Sequence, residues 1–214
     1  MFKIFAETHK IIASNLYDNI FEIYDLKLDK EKLLWGSIAP DILPHYRLIR
    51  HYKDESISFI TKEIMKIIFA SRLYSPNKHL DPIAIKIFSR KIGIISHYLS
   101  DYVCLPHAKR WTFIGSMKKH IRYESSLDEY VKTHDFKNSV VDTNDLDIRD
   151  CQISELKKMI INYVENVVEE YSLNTSFKND LDFSLSLNLK ITSFVLDTIV
   201  EYSEDIHREL ALVV

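Results

Sequence analysis

Histidine and a carboxylate recur four residues apart in this sequence, at His51 with Glu55, His97 with Asp101, and His120 with Glu124. On a helix that spacing puts both side chains on one face, about a turn apart, where they can converge on one ion. In HYLSDYVCLPHAKRW (residues 97–111), His107 follows directly after Pro106. A proline there is expected to end the helix and bring His107 in from another direction. Nine histidines and 31 acidic residues in 214 give about one such pair by chance, and His51 with Glu55 is read as the accidental one. The conjunction of the remaining pairs with His107 points to a metal. Imidazole and carboxylate donors suit zinc or a related divalent ion with an open coordination position, whereas structural zinc sites more often use several cysteines. Cys104, one turn after Asp101, reads as packing.

The elements that must position these residues read as helices. The chain of 214 residues, 46% hydrophobic and 28% charged with only 3 Gly and 5 Pro, is neither disordered nor low in complexity and suits long helices. An all-α fold in one domain over residues 1–214 is expected, burying roughly 70% of the unfolded chain's surface. A net charge of −3 provides no polycationic surface, so no stable nucleic-acid partner is inferred. Cys104 and Cys151 form no disulfide framework and fit a reduced compartment. Glu7, His9 and Lys10 interrupt the N-terminal apolar stretch, so no export signal is read, no run reaches bilayer length, and the expected location is cytoplasmic.

Helical periodicity runs through Ile4 to Ile23, carrying His9. The polar DLKLDKEK reads as a turn, and the stretch holding Gly36, Pro40 and Pro44 reads as a loop or broken helix. Further helices are expected from Asp54 to about Tyr74, with Asp54 or Ser56 as N-cap, and from Asp81-Pro82 to about Cys104. Others run from Met117 to about His134, from Ile153 to Tyr171 and from Phe177 to Glu204, the last two carrying their charges on solvated faces. Six or seven helices result. His79 and His134 are expected in solvent, His207 lies near the last helix end, and Lys118, Lys119 and Arg122 form a small basic group beside His120.

The order His97, Asp101, His107, His120, Glu124, opened by HYLSD, resembles the bacterial zinc-dependent phospholipase C family, whose architecture the single-strand-specific zinc nucleases share. The resemblance implies an all-helical domain with a zinc cluster in a cleft. It makes His97 a ligand of one zinc, Asp101 a carboxylate bridging two, and His107, His120 and Glu124 a separate site. From APDILPHYRLIRHYKD it implies Asp41 and His51, with His45 the competing candidate, and from the first helix it implies His9. It spans Thr8 to about Glu124, and the C-terminal third is matched by helical character alone. Pro106 directly precedes His107 where the family has its proline two residues before, and Ser100 replaces the usual glycine or threonine. The exported enzymes bind a third zinc through a processed N-terminal tryptophan. This chain starts Met1-Phe2, so two or three zinc ions are expected, the third either lost or held by His9, Asp101 and the amino terminus.

The activity implied is phosphodiester hydrolysis by a zinc-activated water, with Asp41 both ligand and general base. The implied substrate is a phospholipid or other phosphodiester, met in transient contact with a membrane surface. The alternatives are a single-strand nuclease on the same scaffold, with Tyr46, Tyr52, Tyr98 and Trp111 as candidate stacking platforms, and a metal-binding member without turnover.

Overall fold

The structure, a computed structural model, describes residues 6–46, 48–71, 81–111, 115–141, 146 and 153–211, of which 71, 153–154 and 202–211 are described by backbone alone. Among these residues every regular element is helical. The order is α1 (Ala6–Tyr24), α2 (Lys30–Ile42), α3 (Lys53–Ser71), α4 (Pro82–Tyr102), the single turn α5 (Leu105–Ala108), α6 (Met117–Tyr130) with a 3-10 turn at Val131–Thr133, α7 (Ile153–Leu173) and α8 (Phe177–Ala211). The all-α expectation is met, with α2 and α5 as elements the periodicity did not resolve. Met1, Phe2, His79 and Cys151 lie outside the described residues, as does the side chain of His207.

Two of the sequence boundaries are corrected. The stretch around Gly36 and Pro40 is a regular helix through Ile42, not a loop. It starts inside the expected polar turn because the Asp29 side chain accepts from the Lys32 N–H at 2.9 Å, satisfying one of the orphan donors of the first turn. Pro40 lies inside this helix and withholds from its ladder the one N–H that would meet the Gly36 carbonyl. α3 begins at Lys53, which puts Asp54 inside its first turn. The Asp81-Pro82 expectation holds: Asp81 accepts from the Ile83 N–H at 3.1 Å, and Pro82 occupies the first turn.

α4 is the hub, packed against α1, α2, α3 and α8. Every residue from Ile92 to Tyr102 is buried, so this half of the helix is enclosed on all sides. Polar groups there need partners. Asn188 of α8 donates through Nδ2 to Ser100 Oγ at 3.0 Å, and the Ser56 and Tyr102 hydroxyls meet at 2.8 Å.

The tightest contact joins α2 to α4 through two glycines. A Cβ on Gly93 would stand 2.2 Å from the Leu33 carbonyl oxygen, and one on Gly36 would stand 2.2 Å from that of Arg90. The backbones therefore touch, and the consequence runs up both helices. Gly93, His97 and Asp101 lie on one face of α4 at four-residue spacing, and Ser37 and Asp41 share a face of α2. Close approach at the glycines brings Asp41 to within 3.6 Å of His97. A Gly93→Ala protein is expected to lose about 1–3 kcal/mol through overpacking. Thermal unfolding reads this, and co-melting with wild type would refute the contact.

The charges of α8 depart from expectation. Asp180 and Asp182 are each 1% exposed, because the first turns of α8 pack into the protein. The side chain of His134, 4% exposed, is also enclosed rather than solvated: its Nε2 lies 2.7 Å from Asp182 Oδ1, a carboxylate that also takes the Lys137 N–H and the Lys178 ammonium.

Candidate metal centre

Asp101 is the centre of the site. It is the penultimate residue of α4, its side chain is 5% exposed and four imidazoles surround it. Oδ2 lies 2.8 Å from His51 Nδ1 and 3.3 Å from His97 Nε2, while Oδ1 lies 3.4 Å from His9 Nε2 and 3.7 Å from His107 Nε2. Burial alone would raise this carboxyl, but the imidazoles of His107, His97, His51 and His9 outweigh it and hold the group well below the usual carboxylate range. Asp101 is thus an anion at any ordinary pH.

The donor geometry fits a metal better than it fits hydrogen bonding. Despite its two close nitrogens, Asp101 Oδ2 has no partner with the directionality of a hydrogen bond. Two imidazole nitrogens also face each other, His97 Nε2 and His51 Nδ1, at 3.2 Å. Donors around a tetrahedral zinc at bond lengths of 2.0–2.1 Å stand about 3.3 Å apart, close to the separations here. His51, His97 and Asp101 form one group able to hold an ion, His9, Asp41 and His97 a second, and His107, His120 and Glu124 a third.

Backbone carbonyls orient two of the rings. His97 Nδ1 donates to the Ser37 carbonyl at 2.8 Å, leaving the Nε2 lone pair for the cluster. His120 does the same through Nδ1 to the Trp111 carbonyl at 3.2 Å. Such partners fix the tautomer of a ligating histidine. Ser37 is presented by the α2–α4 glycine contact. Trp111 is presented by the end of α5, where Arg110 has φ +49° and the Trp111 N–H reaches back to the Pro106 carbonyl at 2.8 Å. This is a Schellman-type stop, a position that usually takes glycine. Arg110 pairs with Asp54 at 2.9 Å and Glu55 at 3.4 Å, tying the start of α3 to the end of α5.

In the third group, Glu124 Oε1 lies 2.7 Å from His120 Nε2 and 3.2 Å from His107 Nε2. Burial would raise Glu124, but the bonds from both histidines win and hold it at about 2. Both imidazoles are raised in turn: burial opposes this, but Asp101 and Glu124 outweigh it at His107, and Glu124 does so at His120. Pro106 does not keep His107 away. It sits in the first turn of α5, which aims His107 into the cluster. A cavity of about 30 Å³ opens beside His9, Asp101 and Glu124, reaching Cys104, Asp128 and Asp180, room for a water or two.

All eight sequence candidates, His9, Asp41, His51, His97, Asp101, His107, His120 and Glu124, fall within these groups. His51 reaches Asp101, whereas His45 is exposed and packs against Tyr46. Glu55 stays out and pairs with Arg110. His9 joins Asp41 and His97 as well as facing Asp101. Sequence reasoning missed Asp128, which accepts from the Thr8 N–H at 2.9 Å and hydroxyl at 2.6 Å and so holds the start of α1 beside His9. Its signal was present, since Asp128 continues the face of His120 and Glu124 at the same four-residue step.

Fold and site define an all-α protein carrying three donor groups, each able to hold a divalent metal. The sequence model of the zinc dependent phospholipase C family matches residues 8–178, and the chain belongs to that family. The match extends past Glu124, where the motif resemblance ends, through α7 to the start of α8. No curated protein and no solved structure matches the chain.

Proposed function

We propose that this protein hydrolyses phosphodiesters, as a phospholipase C acting on a phospholipid, at a centre of two or three zinc ions held by His9, Asp41, His51, His97, Asp101, His107, His120 and Glu124. The observation that carries this reading is the buried Asp101 carboxylate ringed by four imidazoles, with an oxygen that has close nitrogens but no hydrogen bond. Bound zinc supplies Lewis acidity toward phosphate oxygens and lowers the pKa of water toward about 7.

The chain's own residues divide the remaining work. Asp101, buried and held as an anion by its imidazoles, offsets cationic charge inside the protein. Asp41 is the more solvent-facing carboxylate, its side chain 31% exposed against 5% for Asp101, and we assign it as the base that takes the proton of the attacking water. His97 and His120 are oriented by their backbone carbonyls, so each Nε2 already faces the cluster. Leu48, 87% exposed on the loop that carries His51, supports a transient contact with a membrane surface. A single domain and a cytoplasmic location complete the reading.

Base stacking loses Tyr98, which is fully buried, whereas Tyr46, Tyr52 and Trp111 are half-buried and keep the nuclease reading an outcome of the test. The test is protein purified without chelator, its zinc measured, assayed on a chromogenic phosphocholine ester, phospholipid vesicles and single-stranded DNA. Zinc-dependent hydrolysis of the first two is expected. It should fall by about 100-fold or more in His51→Ala, His97→Ala and His120→Ala and persist in His45→Ala. No zinc and no rescue by zinc would sink the proposal. Cleavage of DNA alone would make the protein a nuclease, and bound zinc without turnover a metal-binding member.

A further inference from the structure

Asp180 lines the same cavity as His9, Asp101 and Glu124 and stands two residues beyond the span matched by the family. It is 1% exposed and collects donors from three other helices. Tyr171 of α7 donates its hydroxyl to Oδ1 at 2.6 Å, and Tyr123 of α6 donates its hydroxyl to Oδ2 at 2.8 Å. The Leu105 N–H, the first of α5, donates to Oδ2 at 3.3 Å, and the Cys104 thiol lies against the same carboxyl. Unpaired, a carboxyl this deep would be costly, so its environment fixes it in place and it fixes its donors in return.

Two of those donors adjoin metal-site residues. Tyr123 precedes Glu124, and Leu105 opens the single turn that carries His107. That turn has no cap of its own, since Cys104 at the N-cap makes no side-chain cap bond. Asp180 takes that place from α8 and, through the same oxygen, grips α6. We infer that Asp180 is a positioning residue that sets the separation of His107 from Glu124 and His120 by bolting α5 and α6 to α8. This inference rests on the metal reading of that site.

Tyr171 supplies an internal control. Its bond to Asp180 is the shortest of the set, yet α7 carries no donor of the site. A role confined to stability predicts similar consequences for losing either tyrosine hydroxyl, whereas a positioning role predicts that only Tyr123 matters to the metal.

The experiment titrates zinc into the metal-free full chain against a chromophoric chelator, the step lost in Glu124→Ala marking the His107–His120–Glu124 site. Tyr123→Phe should weaken that step by about tenfold, and Asp180→Ala by up to about 100-fold. Tyr171→Phe should leave it unchanged while lowering the melting temperature. Equal weakening by both tyrosine variants, or an unchanged zinc step in Tyr123→Phe, overturns the inference. If Asp180→Ala fails to fold, the two tyrosine variants decide alone. A wild-type protein that takes up no zinc would refute the functional reading and this inference with it, whereas zinc uptake insensitive to Tyr123 refutes this inference only.

Discussion

An Asp101→Asn protein is expected to lose hydrolysis by at least about 100-fold and to lose zinc from the His51–His97–Asp101 group while retaining the step that belongs to His107, His120 and Glu124. The amide keeps the shape of the carboxyl but not its charge. It also puts a donor among four imidazoles whose nitrogens converge on that point. Zinc content and turnover of the phosphocholine ester, measured on one preparation, check both halves of this result.

The same variant should also be less stable without metal. The native carboxyl of Asp101 is held well below its unfolded value. Its contribution is therefore present above the unfolded pKa of about 3.9 and is lost as pH falls through the folded value. Removing one partner of a buried ion pair costs about 3–5 kcal/mol. Urea unfolding of chelator-treated protein should show that difference at pH 7 and show it narrowing below about pH 4. Equal stability at pH 7 would mean that the imidazoles do not hold Asp101 charged.

The second large effect is on zinc affinity at His107, His120 and Glu124 as pH changes. The two imidazoles are raised by their carboxylate neighbours, so their ion pairs with Glu124 are complete below the unfolded histidine pKa and disappear as pH rises through the folded values. Zinc requires both rings neutral. Binding must therefore displace up to two protons, and each displaced proton makes apparent affinity rise about tenfold per pH unit. Below the folded values of the two rings this step should tighten by up to about 100-fold per pH unit. Calorimetric titration in two buffers of different ionisation enthalpy counts the protons released. Glu124→Gln removes the main charge that raises His120 and part of what raises His107, where Asp101 remains, so its weaker binding should depend less on pH. An affinity independent of pH would overturn the assignment of protons to this site.

Much of this centre was legible in the chain because its donors sit at helical steps. His97 with Asp101 and His120 with Glu124 are local relations that any regular helix enforces, and residue type supplies the N/O chemistry. Asp81-Pro82 announced α4 for the same local reason. The burial of Asp180 and Asp182 in α8, and of the His134 side chain against it, was not legible, because their partners include distant elements. Charge spacing on α8 and the polar surroundings of His134 therefore pointed to solvent.

By itself the sequence determined the helical class, the order of the donors and the family pattern they follow, since each depends on residue identity and on contacts within a turn or two. Only the tertiary structure decided that α2 continues through Pro40, that His51 rather than His45 reaches Asp101, and how His9, Asp41, His51, His97 and Asp101 divide into groups. It also supplied the Ser37 and Trp111 carbonyls and the grip of Asp180. The physical reason is that these depend on the approach of helices far apart in the chain. Two glycines whose missing Cβ atoms let α2 touch α4 set that approach, as does a buried carboxylate whose donors come from three other helices.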